Sequence, residues 1–313
     1  MKFISEDQSA ALIDHDLAYI SAREAMVAAA RPDASIFPAV IAHVSESGER
    51  FSVKSGASPE VVGLKVGSFW PGNDRFGMPR HSSSILLIDR RTGRIEWVIE
   101  ASEVNAYRTA AVDAVAVDAL ARTNATTLVV FGAGHQAKYE CLAISRVRAI
   151  DTVLVVARDG NRAAALVEEL LAVGLSASVS EARGALERAD IVVTATSSRA
   201  PLFEADWIRP GTHLSAMGAD AKGKQELPPE LFGRAGLFCD LPPQSAVMGE
   251  FQHFRGGASG LTAIGRVLTN ETAGRVSDDQ ITVFDSSGIA LQDLFVARHL
   301  VAAYEQASLQ AGC

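Results

Sequence analysis

A lysine stands in an otherwise apolar and glycine-containing stretch, GLKVGSFWPGN, at residues 63–73. Alternation predicts a strand on which Lys65 shares one face with Gly67 and Phe69. The glycine leaves space on that face, and an ammonium group is a compact point charge that can hold an anionic substrate. Alternation alone is equally compatible with an exposed lysine that keeps a half-buried strand soluble.

Two further charged residues lie in surroundings that would suit a substrate site. Arg108, in NAYRTAA, lies in an alanine-rich segment, from which its side chain could also simply extend into solvent. Asp220, in SAMGADAKGKQEL, follows a strand-like run and lies in a glycine-containing loop. In a doubly wound sheet, ligands bind beyond the carboxyl ends of the strands, which would place Asp220 at the cleft. An Asx turn is the alternative role for this aspartate.

The strongest isolated motif is FGAGHQA, which fits the pattern GxGxxG/A directly after an apolar strand and before a helix. Gly132 permits the tight turn, Gly134 allows a pyrophosphate to approach the backbone, and Ala137 allows the helix to pack closely on the strand. The helix N-terminus then offers unpaired N–H groups to the anion. The predicted dinucleotide contacts in this loop are Gly132, Ala133, Gly134, His135, Gln136 and Ala137.

The next strand, TVLVVARDGNR, bears on which dinucleotide binds. NAD enzymes usually carry an acidic residue at the end of this strand for the ribose hydroxyls, and here Ala157 takes that position. Arg158 and Arg162 suit a 2′-phosphate, so the sequence favours NADP over NAD. Asp159 keeps NAD possible, although it could equally cap the following helix.

The elements that must position these residues begin with a mixed region. Residues 1–30 predict two short helices, with Ser5 before the first and Ser21 before the second. Residues 36–99 predict short strands, among them a hairpin in LLIDRRTGRIEWVIE. A helix follows that Ser102 could cap.

From Thr127 onward, apolar strands alternate with helices, which predicts a parallel sheet covered on both faces. A helix after residue 286 could return to the first region. We therefore predict an α/β fold, with a Rossmann-type doubly wound parallel sheet and a second α+β domain built from both chain ends. Residues 1–120 with 286–313 form that second domain, and residues 121–285 form the dinucleotide-binding domain.

The composition limits the class of protein. The chain has 313 residues, of which 48% are hydrophobic and 21% charged, as in globular proteins of one large or two ordinary domains. Its formal net charge of -8 argues against nucleic acid or an anionic membrane as the main partner. Cys141, Cys239 and Cys313 show neither a disulfide framework nor zinc-like spacing, so we expect a reducing cytoplasm and no metal site. We expect a soluble protein, because no signal-peptide h-region and no run of membrane-spanning length is found.

These stretches together resemble the ornithine cyclodeaminase/μ-crystallin family across nearly the whole chain. The resemblance rests on GLKVGSFWPGN, RTAA, FGAGHQA, MGADAKGKQEL and FDSSGIALQDL, which occur in that order. Within the family, SFWPGN, GADAKGKQE, MGEFQH and SSGIALQDL look closest to the branch that includes iminosuccinate reductase, a ketimine-reducing enzyme. The resemblance implies a homodimer formed through the split first domain, with a Rossmann domain that holds the nicotinamide cofactor.

The resemblance also implies roles for individual residues. Lys65 looks like the lysine that contacts the substrate carboxylate and the reacting nitrogen. Arg108 looks like the arginine that clamps the carboxylate, and Asp220 looks like the acidic residue beside the nitrogen. These three are the predicted catalytic residues. Thr109 looks like a phosphate contact, and residues 287–289 look like the segment against the nicotinamide. Outside the glycine loop and its neighbouring strand, the predicted cofactor contacts are Thr109, Thr196, Met217, Gly218, Ser287, Gly288 and Ile289.

One departure from the family concerns its early PxR-type strand, where many relatives carry an additional carboxylate-binding arginine. Here FPAVIAHV has no arginine at residues 37–44. Another cation would have to substitute, with Arg80, Arg75 and Lys54 as candidates, or the substrate is held differently. We also expect Arg80 and His81, in PRHSSS, to bind a second polar group of the substrate, unless that segment is a solvated loop.

The activity that the resemblance implies is an NAD(P)H-dependent reduction of a small α-imino acid, such as iminosuccinate or a cyclic imino acid, to the L-amino acid. Hydride would reach the imine carbon, and the nitrogen would take a proton from Lys65 or Asp220. The rivals are a cyclodeaminase-type lyase that converts L-ornithine to L-proline and ammonia with bound NAD, an alanine dehydrogenase, and a non-catalytic NADPH-binding crystallin. Arg158 and Arg162 favour exchanging NADPH over a retained NAD. The retained catalytic residues disfavour a dead site.

Overall fold

The computed structural model describes residues 1–44 and 48–311. The described chain divides into two units. Unit 1 comprises Met1–Arg108 and the chain from Ile289 onward, and unit 2 comprises Thr109–Gly288. The domain boundaries that the sequence suggests, and the role of each domain, stay predictions. Cys313 lies outside the described residues.

Unit 1 combines a mixed sheet with helices from both chain ends. Its helices are α1 (Glu6–Leu12), α2 (His15–Ala29), the start of α3 (Ser102–Leu120) and, near the end of the chain, α9 (Ala290–Ala311). Its strands are β1 (Lys2–Ile4), β2 (Ser35–Ile36), β3 (Val40–His43), β4 (Arg50–Ala57), β5 (Val62–Phe69), β6 (His81–Ile88) and β7 (Ile95–Glu100). The strand order is β1-β7-β6-β5-β4-β2, and β3 also pairs with β4. β1 runs parallel to β7, whereas the other pairs are antiparallel.

The predicted hairpin is confirmed, because β6 and β7 pair through residues 84–100. The chain reverses at Gly93, whose φ of 69° is in the left-handed region that glycine adopts without strain. Asp89 holds this turn, since its carboxylate accepts from the amides of Arg91 and Thr92. The local pattern of the sequence therefore sufficed for this element.

The helix starts in unit 1 match the sequence-based predictions in part. Ser5 caps α1 with reciprocal hydrogen bonds to Gln8. Ser21 was wrongly placed before the second helix, because it lies inside α2, which begins after Asp14. The Asp14 carboxylate accepts from the amide of Leu17 at 2.8 Å and so satisfies a donor of the first turn.

The start of α3 is capped from a distant part of the chain. The amides of Ser102 and Glu103 each donate to the carboxylate of Glu6 over 2.8 Å. Glu6 therefore supplies the acceptor that the sequence pattern assigned to Ser102. A carboxylate is favourable there because the helix N-terminus carries partial positive charge.

Unit 2 is an α/β unit built on a sheet in which all strand pairs are parallel. Its strands are β8 (Thr127–Phe131), β9 (Thr152–Val156), β10 (Ala177–Val179), β11 (Ile191–Thr194), β12 (His213–Ala216), β13 (Ala235–Cys239), β14 (Thr262–Ala263) and β15 (Ile281–Asp285). Its helices, besides the end of α3, are α4 (His135–Val147), α5 (Gly160–Ala172), α6 (Ala182–Leu186), α7 (Pro242–Met248) and α8 (Ile264–Leu268). The strand order β10-β9-β8-β11-β12-β15-β13-β14 confirms the predicted doubly wound sheet.

The strand order of unit 2 also identifies where a ligand should bind. Chain order reverses between β8 and β11, and ligands of such sheets bind at this switch point, outside the carboxyl ends of the strands. The glycine loop follows β8 directly, and Thr196 follows β11. Apolar side chains of these strands, such as Val129, Phe131 and Val192, are buried in the core beneath.

Among the residues that the structure describes, no helix combines the length and apolar character needed to cross a membrane.

Candidate active site

Lys65 lies in the middle of β5, between β4 and β6, and only 7% of its surface is exposed. Its Nζ atom donates to Oδ1 of Asn105 at 2.5 Å and to Oδ1 of Asp293 at 3.0 Å. The solvent-exposed alternative for this lysine is therefore excluded by its burial. The Lys65 side chain is thus held by polar side chains from the start of α3 and the start of α9.

Arg108 shares the same partners. Its Nε lies 3.0 Å from Oδ1 of Asp293, its Nη2 donates to Asn105 at 2.7 Å, and its Nη1 donates to Gln292 at 3.1 Å. Arg108 is 8% exposed and Asp293 is 2% exposed, so Arg108 also does not extend into solvent. We call these five residues, Lys65, Asn105, Arg108, Gln292 and Asp293, the cationic cluster.

The charges of the cationic cluster depend on burial and on one another. Burial lowers the pKa of Lys65 to about 7, an effect that Asp293 opposes and that Arg108 and Lys54 reinforce. Burial acts to raise the pKa of Asp293, but Arg108, Lys65 and Lys54 together hold it below its ordinary value. Asp293 is therefore ionised, and Lys65 exchanges between ammonium and amine near neutral pH.

Two glycines of the sheet allow α9 to pack closely enough to place Asp293 beside Lys65. Gly56 and Gly63 lie opposite each other on β4 and β5. A Cβ on Gly63 would lie 2.9 Å from a methyl carbon of Leu294, and a Cβ on Gly56 would lie 3.3 Å from Cβ of Ala290. The helix therefore packs against strand positions without side chains, and only glycine permits this approach.

Sequence reasoning missed Asn105, Gln292 and Asp293. Asn105 precedes Arg108 by three residues on α3, which places both side chains on one face of the helix. Gln292 and Asp293 are polar residues within the buried start of α9, in the motif GIALQDL. Buried charged residues are rare unless paired, and that rule was the available signal.

The second-cation candidates have different surroundings. Lys54 pairs directly with Lys65 in the β4–β5 register, so both side chains lie on the same face of the sheet. Arg80 forms an ion pair with Asp74, and more than half of each side chain is exposed. The ring of His81 lies 4.7 Å from that of Phe69, measured between centroids. The structure thus brings Lys54, and not Arg80, beside the cationic cluster.

The glycine loop of unit 2 has the geometry of an anion site. Gly132 has a φ of 112°, and a Cβ there would lie 2.7 Å from the carbonyl oxygen of Ala195. Gly134 is the N-cap of α4, and a Cβ there would meet nothing nearer than Nη2 of Arg162 at 3.9 Å. Ala137 is fully buried against the sheet. Gly134 offers no side chain to cap this 13-residue helix, so a phosphate can approach the N-terminus of the helix, and the loop fits a dinucleotide.

The remaining residues of the loop and of the following strand have defined positions. His135 packs on Tyr139 at 4.8 Å between ring centroids, and the Gln136 amide donates to Glu140. Asp159 caps α5, since its carboxylate accepts from the amides of residues 161 and 162. The capping alternative for Asp159 is therefore realised. Arg158 and Arg162 are exposed beside it.

A buried glutamate in unit 2 joins the loops after β11 and β12. Glu226 accepts at Oε1 from the amide and the hydroxyl of Thr196, each at 2.7 Å. At Oε2 it accepts from the hydroxyl of Thr194 at 2.9 Å and from the amide of Gly218 at 2.8 Å. Burial raises the pKa of Glu226, although these donors favour the ionised form. Glu226, which the sequence analysis missed, thereby fixes the predicted cofactor contacts Thr196 and Gly218. The predicted contact Met217, next to Gly218 in the chain, is buried.

A second buried carboxylate holds the end of unit 2. Asp240 accepts from the hydroxyl of Ser287 and from the amide of Gly288, both at 2.7 Å. Burial raises the pKa of Asp240, and these bonds oppose that effect. Ile289 is fully buried and is the first residue of the second chain segment of unit 1. Thr109, the other predicted cofactor contact near a unit boundary, is half-buried in α3.

Asp220 lies in the loop after β12, with 58% of its side chain exposed. Its Oδ1 accepts from Nζ of Lys224 at 2.5 Å, and the same Nζ donates to the carbonyl oxygen of Gly218 at 3.0 Å. This ion pair keeps the carboxylate at the surface of unit 2. Within residues 1–44 and 48–311, no group of three His, Cys, Asp or Glu side chains could hold a metal ion.

Comparison with known proteins identifies related chains over almost the full length. A model of the ornithine cyclodeaminase/mu-crystallin family matches residues 10–308. Iminosuccinate reductase of Paracoccus denitrificans is 34% identical over 309 residues, which covers 96% of each chain. Its crystal structure in complex with NAD+ has a TM-score of 0.90 and covers 98% of this chain and 97% of the other.

Two further solved structures are similar. An archaeal alanine dehydrogenase dimer with bound NAD is 31% identical with a TM-score of 0.91, covering 98% of this chain and 96% of that one. Delta(1)-pyrroline-2-carboxylate reductase of Thermococcus litoralis, in complex with NADH and L-proline, is 25% identical with a TM-score of 0.90 and covers 98% of both chains.

Proposed function

We propose that this chain, which belongs to the ornithine cyclodeaminase/mu-crystallin family, reduces a small α-imino acid to the L-amino acid with NAD(P)H. The observation that carries the proposal is the buried pair of Lys65 and Arg108, held by a single aspartate in unit 1. Two cations fixed side by side in a buried pocket suit a carboxylate with a reacting nitrogen next to it. The names of two similar proteins, reductases of iminosuccinate and of Delta(1)-pyrroline-2-carboxylate, support this chemistry.

Arg108 is the group we assign to the substrate carboxylate. A guanidinium has five N–H donors; Nη2 donates to Asn105 and Nη1 donates to Gln292, while Nε lies at ion-pair distance from Asp293. Each terminal nitrogen therefore keeps a second N–H, and together these two can bind a carboxylate in the paired geometry. The protein contacts hold the guanidinium in place before substrate arrives.

Lys65 is the group we assign to proton transfer. Its pKa of about 7 allows the ammonium to donate a proton to the imine nitrogen and the amine to take one back from solvent at neutral pH. When bound, the nicotinamide cofactor supplies the hydride for the imine carbon. Asp220 is the alternative proton donor, and its ion pair with Lys224 would have to open for that role.

We assign the cofactor to unit 2 and propose NADPH in preference to NADH. Arg158 and Arg162 are exposed next to the glycine loop, and Arg162 reaches to within 3.9 Å of the Cβ position at Gly134. Asp159 is engaged as the cap of α5. The similar proteins hold NAD+, NAD or NADH, so the ratio of NADPH to NADH efficiency tests this preference.

We propose that the chain forms a homodimer through unit 1; the similar archaeal alanine dehydrogenase is a dimer. Exposed apolar side chains that a second copy would cover are Phe37, Val40, Ile41, Val44 and Phe51. Val40→Glu should therefore lower the sedimentation coefficient from the value of a dimer to that of a monomer. The control Val247→Glu, on unit 2, should leave the coefficient at the value of the dimer. An unchanged dimer in Val40→Glu would place the interface elsewhere.

The buried free thiols Cys141 and Cys239 support a cytoplasmic location.

The test of the activity is a substrate panel followed at 340 nm. Purified protein is mixed with NADPH or NADH and with oxaloacetate plus ammonium, pyruvate plus ammonium, or Delta(1)-pyrroline-2-carboxylate. We expect oxidation of the cofactor with one equivalent of L-amino acid formed. Ammonia release from L-ornithine with no net absorbance change would instead indicate a lyase. Cofactor binding without turnover of any imine would indicate a non-catalytic binder.

A further inference from the structure

The sheet of unit 1 continues beyond the cationic cluster as a polar surface. Direct pairing places Lys54 beside Lys65 in one row across the strands. The next row contains Ser52, Gly67 and Ser83, on the same face of the sheet. The two rows are about 6.6 Å apart along the strands, a distance set by strand geometry.

Gly67 leaves space at the centre of this second row. A Cβ built there would touch only Oγ of Ser52, at 3.4 Å, and Cε of Lys65, at 3.8 Å. The absence of a side chain thus creates a gap bounded by a hydroxyl on one side and the Lys65 side chain on another. We call this gap the Gly67 niche.

A buried hydroxyl beside the niche lacks a partner within the described chain. Ser83 pairs with Gly67 in the β5–β6 register and is 5% exposed, and its Oγ has no hydrogen-bond partner in residues 1–44 and 48–311. A buried polar group without a partner is unfavourable, and an acceptor atom from a ligand would satisfy it.

The charge around the niche favours an additional anionic group. Lys54, Lys65 and Arg108 place three basic side chains near the carboxylate of Asp293, and Lys54 acts electrostatically on both Lys65 and Asp293. A protonated imine with one carboxylate carries no net charge, whereas a protonated imine with two carboxylates carries one negative charge. The second is the better electrostatic match to these three basic side chains.

The far end of the surface is also basic. Phe69 lies in the row after Gly67, and the guanidinium carbon of Arg50 lies 4.4 Å from its ring centroid. His81 packs against the same ring. Phe69 is therefore covered by two basic side chains and offers little of the apolar wall that a cyclic imine needs.

We propose that the Gly67 niche is the subsite for the second carboxylate of a four-carbon dicarboxylic α-imino acid, bound by Lys54 with the hydroxyls of Ser52 and Ser83. This inference rests on the proposed function and names its substrate class. Oxaloacetate and ammonia condense to the imine with loss of water. The imine then takes hydride at carbon from NAD(P)H and a proton at nitrogen, which yields L-aspartate and NAD(P)+.

The experiment compares two substrates in three variants. Lys54→Gln should lower kcat/KM for the imine of oxaloacetate about 10- to 100-fold, because a charge-assisted hydrogen bond is lost. The same variant should lower kcat/KM for Delta(1)-pyrroline-2-carboxylate by a clearly smaller factor, because this substrate has no second carboxylate. Gly67→Ala fills the niche and should also lower kcat/KM more for the imine of oxaloacetate than for Delta(1)-pyrroline-2-carboxylate. Lys2→Gln, which removes an exposed lysine, is the control. The ratio of the two efficiencies is the readout, because an effect of Lys54 on the Lys65 pKa alters both substrates alike.

The outcomes separate the two proposals. Selective loss with the dicarboxylic imine in both variants supports the subsite. If the wild-type protein reduces the one-carboxylate imine at least as well, and both variants change the two efficiencies equally, the subsite is refuted and the reductase proposal stands. If the wild-type protein reduces neither of these imines nor the imine of pyruvate, both proposals are wrong.

Discussion

Replacing Asp293 by asparagine tests whether this carboxylate organises the cationic cluster. Its Oδ1 lies 3.0 Å from Nζ of Lys65 and 3.0 Å from Nε of Arg108, and it is 2% exposed. Asn keeps the shape and removes the charge. Lys65 and Arg108 then lose their shared counter-ion.

The expected magnitude follows from these distances. One ion pair at 3.0 Å amounts to about 5.5 kcal/mol of Coulomb energy at an effective dielectric constant near 20. Removing one partner of a buried pair costs about 3–5 kcal/mol. We expect this loss in unfolding free energy at pH 6, where Lys65 in the wild-type protein is largely ammonium. At pH 9 Lys65 is neutral in both proteins, so the loss should be smaller and due to Arg108 alone.

The assay measures urea unfolding by tryptophan fluorescence at pH 6 and pH 9, together with the pH dependence of kcat/KM. Asp293 raises the pKa of Lys65, so its removal should lower that pKa below about 7, by about 1–3 units. The alkaline decline in substrate binding should move to lower pH accordingly. The matched control is Glu24→Gln, which breaks the more exposed ion pair between Glu24 of α2 and Arg298 of α9 and should cost less than about 1 kcal/mol.

The reasoning is refuted if Asp293→Asn is within about 1 kcal/mol of the wild-type protein at pH 6 and its pH profile is unmoved. Such a result would mean that Lys65 and Arg108 are stabilised by Asn105 and Gln292 without the carboxylate. Loss of stability that is equal at both pH values would show that Lys65 does not titrate in this range.

Three further predictions concern unit 2. Arg162→Ala should lower kcat/KM for NADPH about tenfold or more, because one charge-assisted contact with the 2′-phosphate is lost. Its kcat/KM for NADH should stay within about twofold of the wild-type value. Equal losses with both cofactors would contradict the assignment of Arg162 to that phosphate. Glu226→Ala should lower the unfolding free energy by at least about 3 kcal/mol, because four buried donors at Thr194, Thr196 and Gly218 lose their acceptor. The same variant should bind NADPH more weakly in fluorescence titrations. A variant with wild-type stability and wild-type affinity for NADPH would refute this role of Glu226. The carboxyl group of Glu250 accepts from the backbone amides of Glu226 and Leu227, and burial raises the pKa of Glu250 to about 8. Its contribution to stability is therefore complete below the unfolded pKa near 4.5 and is lost as pH rises through about 8. Glu250→Gln should therefore flatten the decline of unfolding free energy between pH 5 and 9, and an unchanged slope would contradict the shift.

Local sequence patterns predicted the elements that depend on neighbouring residues. The hairpin at Gly93, the glycine loop from Gly132 to Ala137 and the parallel sheet each depend on residues within a short stretch of chain. Ser21 shows the limit of such patterns, since a capping residue type inside a helix looks the same as one at its start. Glu6 shows another limit, because it caps a helix that begins far along the chain.

The amino-acid sequence by itself determined the fold class, the place of the dinucleotide loop and the three charged residue types suited to a substrate. It did so because alternation, glycine spacing and ordered motifs are local properties of the chain. Only the tertiary structure decided that Lys65 is buried and that Asp293, 228 residues away, is its counter-ion. That pairing depends on which helix face meets which strand face, and on Gly56 and Gly63 allowing the close approach. The pKa of Lys65, and with it the chemistry proposed here, follows from that packing.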